Sequence, residues 1–308
     1  MRRMDRFDAM QAFARVVETG SFTRAATTLG VARATVTQLV QQLEARLQVR
    51  LLERTTRRVA VTADGAAFYE RVVRLLADLD DAETSLAGAV AAPRGRLRVD
   101  VPAPLASRVV VPALPGFHAR YPDVELVLGA SDRVVDLIGA NVDCVVRGGE
   151  LADTSLVARR LARLELGVFA APGYLAATGM PAHPCELEAP PHHAVGFLWA
   201  RSGKPLSYTL RRGGESVQVH ARHRLVVDDG NAFIAAVAAG LGVAWLPAYM
   251  AAGHMARGEL VRLFPDWQLP PMPLSLAWRP RPHVSARLRV FIDWMVELMA
   301  PLDAGGPG

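Results

Sequence analysis

SFTRAATTLGVARATVTQLVQQLEARL, residues Ser21 to Leu47, reads as two short amphipathic helices joined by a tight turn. In the first, Phe22, Ala25, Ala26 and Leu29 recur at helical spacing, and Ser21 stands where its hydroxyl can cap the N-terminus. Gly30 interrupts the pattern where a left-handed residue costs least. In the second, Val36, Val40, Leu43 and Leu47 share one face, while Ala34, Thr37, Gln38 and Gln41 share the opposite one. That outer face holds no carboxylate. Its hydroxyls and amides can bond base edges, and its Ala and Thr methyls can rest on thymine methyls. Taken alone, such a pair is as well a helical hairpin with a solvated side, so its surroundings decide.

Upstream, Met10, Phe13, Ala14 and Val17 mark a third amphipathic helix, closed by Gly20. Downstream comes LLERTTRRVAVT, Leu51 to Thr62, in which Arg54, Arg57 and Arg58 stand among β-branched residues, as in a short hairpin with a basic tip. Residues 1–62 hold eleven Arg against five acids. Three helices and a basic wing make a winged helix-turn-helix with its last helix in the major groove. The wing arginines would hold phosphates or enter the minor groove.

The run AFARVVETGSFTRAATTLGVARATVTQLVQQLEARLQVRLLERTTRRVAVTADG resembles, without gaps over some sixty residues, the N-terminal domain of LysR-type transcriptional regulators. The G-S-F-x-x-A-A, L-E-x-x-L and R-T-T-R-R-x-x-x-T pieces carry the resemblance. The expected DNA contacts are Thr23, Arg33, Ala34, Thr35, Thr37, Gln38 and Gln41 on the helices. On the wing they are Arg54, Thr55, Thr56, Arg57 and Arg58. Two places depart from the usual pattern: Ala32 replaces Ser at the turn, and Thr37-Gln38 replaces Ser-Arg. The second exchange removes one phosphate-binding or guanine-reading cation, which bears on the operator and not on DNA binding itself.

From Gly65 to Val90, Phe68, Val72, Leu75, Leu79, Ala82, Leu86 and Ala89 alternate steps of four and three with acids between them. That heptad pattern suits a helix pairing with its own copy, so Val72, Leu75, Leu79 and Leu86 are expected to form a dimer seam; the resemblance implies the same. A helix lying across its own domain is the other reading. The segment Ala91-Ala92-Pro93-Arg94-Gly95 then breaks the helix.

Beyond Arg96, strands and helices alternate: LRVDVP, a helix from Pro112 to Arg120, VELVL, a helix through Val134, Val135, Leu137 and Ile138, then DCVVR. A mostly parallel sheet follows from this order. A second set comprises LELGVFAA, a hairpin around Gly213-Gly214, RLVVD, a helix from Asn231 and VAWLP. LSLAW and a helix from Val284 to Met299 come last. The resemblance continues through F-x-x-x-Y-P-D-V, D-C-V-V-R-G-G, A-A-P-G-Y-L and A-A-G-L-G-V-A-W-L-P, and implies that this last pair returns to the first lobe. The expected fold is α/β: a winged helix-turn-helix head at 1–63, a linker helix at 64–91, and an effector domain at 92–303 similar to periplasmic binding proteins. Lobe 1 would take about 96–166 and 270–303, and lobe 2 about 167–269.

In open α/β sheets, ligands settle at the carboxyl ends of strands. The effector contacts expected there are Ala103, Pro104, Leu105, Ser131, Asp132, Arg133, Arg147, Gly148, Phe197, Trp199 and Asn231. Arg147 and Arg133 would pair with a small organic acid, with Phe197 and Trp199 as flat walls. Each has a plainer use: Arg147 as a brace for Asp136 or Asp143, Ser131-Asp132 as a helix cap, Phe197 as core.

The net charge of +5 is modest, but its distribution is uneven: about +6 over residues 1–62, acidic over 63–90, near neutral beyond. A basic head on a near-neutral body suits a DNA module joined to something else. Two cysteines, Cys144 and Cys185, lack any metal-ligand spacing, so neither a disulfide scaffold nor a zinc site is indicated, and no cofactor is expected. The eight histidines are scattered, with His220 and His223 expected on opposite faces of one strand. No nucleophile elbow, zincin motif or phosphate loop occurs, so an enzyme is not expected. An architectural DNA-binding protein is the remaining alternative, though it needs no two-lobed pocket domain. Asn231 to Ala256 lacks charges, but Gly240, Gly242 and Pro247 divide it too finely for a membrane span. No apolar leader follows Met1, so the cytoplasm is the expected place. A homodimer, assembling further into a tetramer, is the expected state.

Overall fold

A computed structural model of the chain describes residues 5–54, 59–86, 92–132, 142–151, 155–199, 203–280 and 283–303. The chain divides into two compact units, Met1–Ala91 and Ala92–Gly308.

In the first unit, α1 (Arg6–Thr19), α2 (Phe22–Leu29) and α3 (Arg33–Leu47) precede a two-stranded wing, β1 (Leu52–Arg54) and β2 (Val59–Val61), and then a long helix, α4 (Ala63–Leu86). The apolar faces read from the sequence meet in one core: Ala12, Phe13 and Val16 of α1, Ala25 and Ala26 of α2, Val36, Val40 and Leu43 of α3, and Leu51 and Leu52 at the wing. Phe68 and Tyr69 of α4 join it, their rings 5.8 and 6.5 Å from that of Phe13. Wing register is Leu52 to Val61, Glu53 to Ala60 and Arg54 to Val59.

The second unit opens with β3 (Gly95–Val101). There follow α5 (Ala103–Leu105), a π turn at Ala106–Val110, α6 (Val111–Arg120), β4 (Val124–Ala130), β5 (Cys144–Gly148) and β6 (Val157–Leu164). The helix expected through Val134 to Ile138 lies outside the described residues. Next come β7 (Leu166–Ala170), α7 (Pro172–Thr178), a 3-10 turn at Pro184–Glu188, β8 (Ala194–Trp199), β9 (Lys204–Pro205), β10 (Tyr208–Arg212), β11 (Glu215–Val219) and β12 (His223–Val227). The rest is α8 (Gly230–Ala238), β13 (Ala244–Pro247), α9 (Ala248–Ala256), β14 (Val261–Leu263), β15 (Met272–Trp278) and α10 (Ala286–Met299).

Two cores define two lobes. Lobe 1 has the five-stranded sheet β4-β3-β5-β15-β6. In it β3 runs parallel to β4 and β5, while β15 is antiparallel to both its neighbours. Leu97, Val99 and Val101 of β3 pack with Phe117, Leu274, Leu276, Phe291 and Met295. The sheet is thus mixed, with two parallel ladders and two antiparallel ones, where the alternating elements predict a mostly parallel one, because the late strand β15 lies inside it running the opposite way. Lobe 2 has the sheets β13-β7-β14 and β12-β8-β9 and the hairpin β10-β11. Its core includes Phe169, Tyr174, Phe233, Ile234, Trp245 and Leu246. The chain passes between lobes twice, at Glu165 and between β14 and β15.

His220 and His223 do not share a strand: His220 follows β11 in a loop, and His223 opens β12. No helix among the described residues is long and apolar enough to cross a membrane.

Candidate functional site

In the head, the Arg24 N–H donates to Ser21 Oγ, and Gly30 ends α2 at φ 65°. That left-handed turn swings α3 across α2. Along α3, Val36, Val40 and Leu43 are buried while Arg33, Ala34, Thr35, Gln38 and Gln41 are exposed, with Thr37 half-buried; Thr23 on α2 is exposed as well. Leu47, grouped with the apolar face in the sequence, is 37 % exposed, one turn past the core. Ala32, the N-cap of α3, makes no side-chain hydrogen bond, so the first N–H groups of this helix are left uncapped. Glu44 Oε1 accepts from the N–H groups of Leu51 and Leu52 at 2.8 and 3.0 Å, pinning the wing to α3. Arg54 sits at the outer end of the wing strand; Thr55, Thr56, Arg57 and Arg58 lie outside the described residues.

The α4 stripe divides. Val72 is completely buried in its own chain, a correction to its place in the expected seam, because the first turns of α4 are occupied in covering α1. Leu75 is 50 % exposed and Leu79 half-buried. Leu86 ends the helix, its side chain outside the described set.

In the second unit, the cleft between lobes gathers several expected residues at two helix N-termini. The Gly230 N–H, first in α8, donates to Asp132 Oδ2 at 2.7 Å. Asp229 caps the same helix by accepting from the Ala232 N–H at 2.7 Å. Pro104 of α5 lies so close to Gly230 that a Cβ there would collide with its ring. Asn231 is half-buried beside them. Burial holds the Asp132 carboxyl above the usual carboxylate range. Asp229 adds to this, against the lowering effect of the Gly230 and Ala103 N–H groups and of Arg147. Trp199 lies against Gly149 of lobe 1, where a Cβ would meet its six-membered ring at 2.6 Å. Helix N-termini favour anions through their free N–H groups and dipole, and Asp132 already supplies one.

Three expected contacts are used elsewhere. The Arg147 guanidinium donates to the Asp100 carboxylate and to the Val146 carbonyl, the latter at 2.7 Å. Asp100 is thus one partner of Arg147, and Asp136 lies outside the described residues. Leu105, 1 % exposed, belongs to the lobe 1 core. Phe197 packs on Phe233, ring centroids 5.4 Å apart, against the lobe 2 core. Ser131 donates its N–H to the Val101 carbonyl, Gly148 lies against Met272, and Arg133 falls outside the described residues. Sequence reasoning missed Tyr249, which packs against both lobe cores and whose hydroxyl is pushed well above the usual tyrosine range by burial and by Asp132. It stands two residues beyond VAWLP, so the rule that ligands gather at strand ends could have found it.

Cys144 is buried, which pushes its thiol up, and Cys185 is exposed; neither has a sulfur partner. Among the described residues, no group of three or more His, Cys, Asp or Glu could hold a metal ion.

Comparison with known proteins accounts for both units. Residues 7–66 match the family model for the bacterial regulatory helix-turn-helix protein of the lysR family, and residues 91–300 match the LysR substrate binding domain. An HTH-type transcriptional repressor of Pseudomonas aeruginosa is 38% identical over 297 residues, 96% of this chain and 93% of its own length. The HTH-type transcriptional regulator CrgA of Neisseria meningitidis serogroup C is 33% identical over 94% of this chain and 96% of its own. The solved structure of CrgA, a LysR-type transcriptional regulator, superposes with a TM-score of 0.60 at 31% identity, covering 95% of this chain and 98% of that one. The full-length structure of the Vibrio cholerae virulence activator AphB gives 0.57 at 29% identity, covering 96% and 99%. The chain belongs to the LysR family of DNA-binding transcriptional regulators, with a helix-turn-helix head and a two-lobed substrate-binding effector domain, and it is not an enzyme.

Proposed function

We propose that this regulator reads its operator with the exposed face of α3 and releases or tightens its hold when a small organic acid enters the cleft between lobes. The observation that carries the DNA reading is that face itself. Arg33, Ala34, Thr35, Gln38 and Gln41 stand in solvent opposite a buried Val36-Val40-Leu43 stripe. Thr23 supports it from α2, and the wing arginines 54, 57 and 58 supply phosphate or minor-groove contacts. Two heads are held together through Leu75, Leu79 and Leu86 of α4. Pairs associate further through their effector domains, and the protein works in the cytoplasm.

For the effector, the support lies in the convergence on Asp132. A ligand carboxylate would compete with Asp132 for the N–H groups of Gly230 and Ala103, with Pro104, Trp199, Asn231 and Tyr249 around it. Arg147 holds Asp100 and contributes only at a distance. A ligand changes the regulator only if it binds two arrangements of the lobes unequally, and a group that breaks the Asp132 to Gly230 bond does so by construction. The test is a thermal-shift screen of organic acids on the wild type and on Asp132→Ala. Removal of the competing carboxylate should strengthen the binding of an acid hit. If the variant instead loses acids and the wild type is stabilised only by amines, the ligand pairs with Asp132 and the acid reading fails.

A further inference from the structure

β6 is the outer strand of the lobe 1 sheet. β15 lies along one side of it, and no strand among the described residues lies along residues 157–161 on the other. Val157, Ala158, Arg159 and Arg160 are all exposed. Successive strand residues point to opposite faces, so Arg159, level with Leu276, and Arg160, level with Ser275, put one guanidinium over each face of the open edge. Neither of them, nor the exposed Arg163, has an ion-pair partner among the described residues. Val157 stands level with Trp278, and Trp278 with Cys144, so this stretch lies at the end of the sheet away from the cleft. Charged side chains on an open edge keep like edges apart. The same edge nevertheless takes an acid at its other end: Asp303 forms an antiparallel bridge with Leu164, and its carboxylate accepts from the Arg163 N–H at 2.8 Å. The residues that follow, Ala304-Gly305-Gly306-Pro307-Gly308, carry no acidic side chain to extend this pairing toward Arg159 and Arg160.

We propose that the outer edge of β6 is a docking strand for an extended acidic segment of a partner protein, which pairs its backbone with residues 157–161 and sets two adjacent carboxylates on Arg159 and Arg160. In such strand addition the backbone bonds supply affinity and the side chains supply selection. Guanidiniums on both faces select neighbouring acids, because neighbours on an extended partner also point to opposite faces. Asp303 shows the same two elements in miniature, a backbone bridge and a carboxylate on the edge. β6 runs directly into Glu165, where the chain crosses to lobe 2. A strand added here therefore bears on the crossing without entering the cleft.

The experiment uses the full-length protein and a capped, fluorescent peptide, Thr-Val-Glu-Glu-Val-Thr, with Thr-Val-Lys-Lys-Val-Thr as its counterpart. Anisotropy should show binding of the Glu peptide and not of the Lys peptide, and hydrogen exchange read by mass spectrometry should slow at residues 157–161. The double variant Arg159→Ala/Arg160→Ala should bind the Glu peptide about fivefold less tightly, as expected for two exposed ion pairs, with its melting temperature unchanged. Arg159→Glu/Arg160→Glu should exchange the preference for that of the Lys peptide. No binding at millimolar peptide overturns the proposal, and so does binding that leaves exchange at residues 157–161 as it was or a double Ala variant that binds like the wild type. Binding that appears only when the chain is shortened after Asp303 makes the chain's own end the occupant and overturns the partner. Loss of affinity for random duplex DNA in the double Ala variant, with the Glu peptide unbound by either protein, makes the strip a phosphate-binding surface and overturns it too.

Discussion

The carboxylate of Asp132, at the end of β4 in lobe 1, accepts the first N–H of α8, that of Gly230 in lobe 2, at 2.7 Å. This bond joins the lobes across the cleft, and the raised pKa of Asp132 makes it respond to acid. The folded chain holds this proton more tightly than the unfolded chain. Stability therefore falls as pH rises from about the ordinary value of 3.8 to the raised folded value, and the loss is constant above it. Asp132→Asn should remove this contribution, giving a flatter dependence of melting temperature on pH across the mildly acidic range. Calorimetry of both proteins at a series of pH values measures it; identical profiles would show that Asp132 does not titrate in this window.

Arg147→Ala should be costly to stability, because it leaves the Asp100 carboxylate buried without its cation. Asp100 is 6 % exposed, and breaking a buried pair by removing one partner typically costs about 3–5 kcal/mol. Urea unfolding should show this loss with or without effector. A variant as stable as the wild type that merely fails to bind ligand would return Arg147 to the ligand site.

Ala32→Ser should stabilise the head by about 0.5–2 kcal/mol, since a hydroxyl there can accept from the open N-terminus of α3. Thermal unfolding of the two proteins compares them. No gain would mean that the extended Ala32 backbone does not aim a side chain at those donors.

On DNA, Gln38→Ala should change base preference, by about 1–3 kcal/mol when a well-formed amide-to-base pairing is removed. Replacing Arg54 or Arg57 by Ala should weaken binding to every sequence and flatten the salt dependence by about one unit. Titrations of operator and random duplex at several salt concentrations separate the two behaviours. Equal losses on both duplexes from Gln38→Ala would remove α3 from the recognition role.

Leu75→Asp should place a carboxylate in the apolar seam and separate the two heads. Size-exclusion chromatography with light scattering on the full chain, and on residues 1–90, should show a smaller species. If the wild-type 1–90 fragment is already monomeric at high micromolar concentration, α4 is not the seam.

What the sequence made legible was local. Ser21 as a cap, Gly30 as a turn and the Val36-Val40-Leu43 stripe are all decided within a few residues of themselves, and so are the strands LRVDVP and VELVL. Hidden features depended on residues far apart in the chain. Asp100 alternates onto the opposite sheet face from Leu97 and Val99, which its strand shows, but its partner is forty-seven residues on. Asp132 and Gly230 are ninety-eight apart. Val72 fits the heptad as well as Leu75 does; only the packing of Phe68 and Tyr69 on Phe13 tells which is spent inside the head. β6 is hard to read because it is an edge strand whose Val157 to Arg160 are all exposed, so the run VARRLARL lacks alternation.

The position of β15 between β5 and β6 has a consequence for how the molecule is made. Lobe 2 is encoded without interruption from Leu166 to Leu263, so a growing polypeptide can complete it while its tail is still on the ribosome. Lobe 1 begins earlier and finishes last: β5 and β6 acquire their common neighbour only with Met272–Trp278, and Leu97, Val99 and Phe117 gain Phe291 and Met295 only after that. Until then an apolar face and two open strand edges are exposed. A chain ending after β14 would hold one finished lobe and one that still lacks β15 and α10.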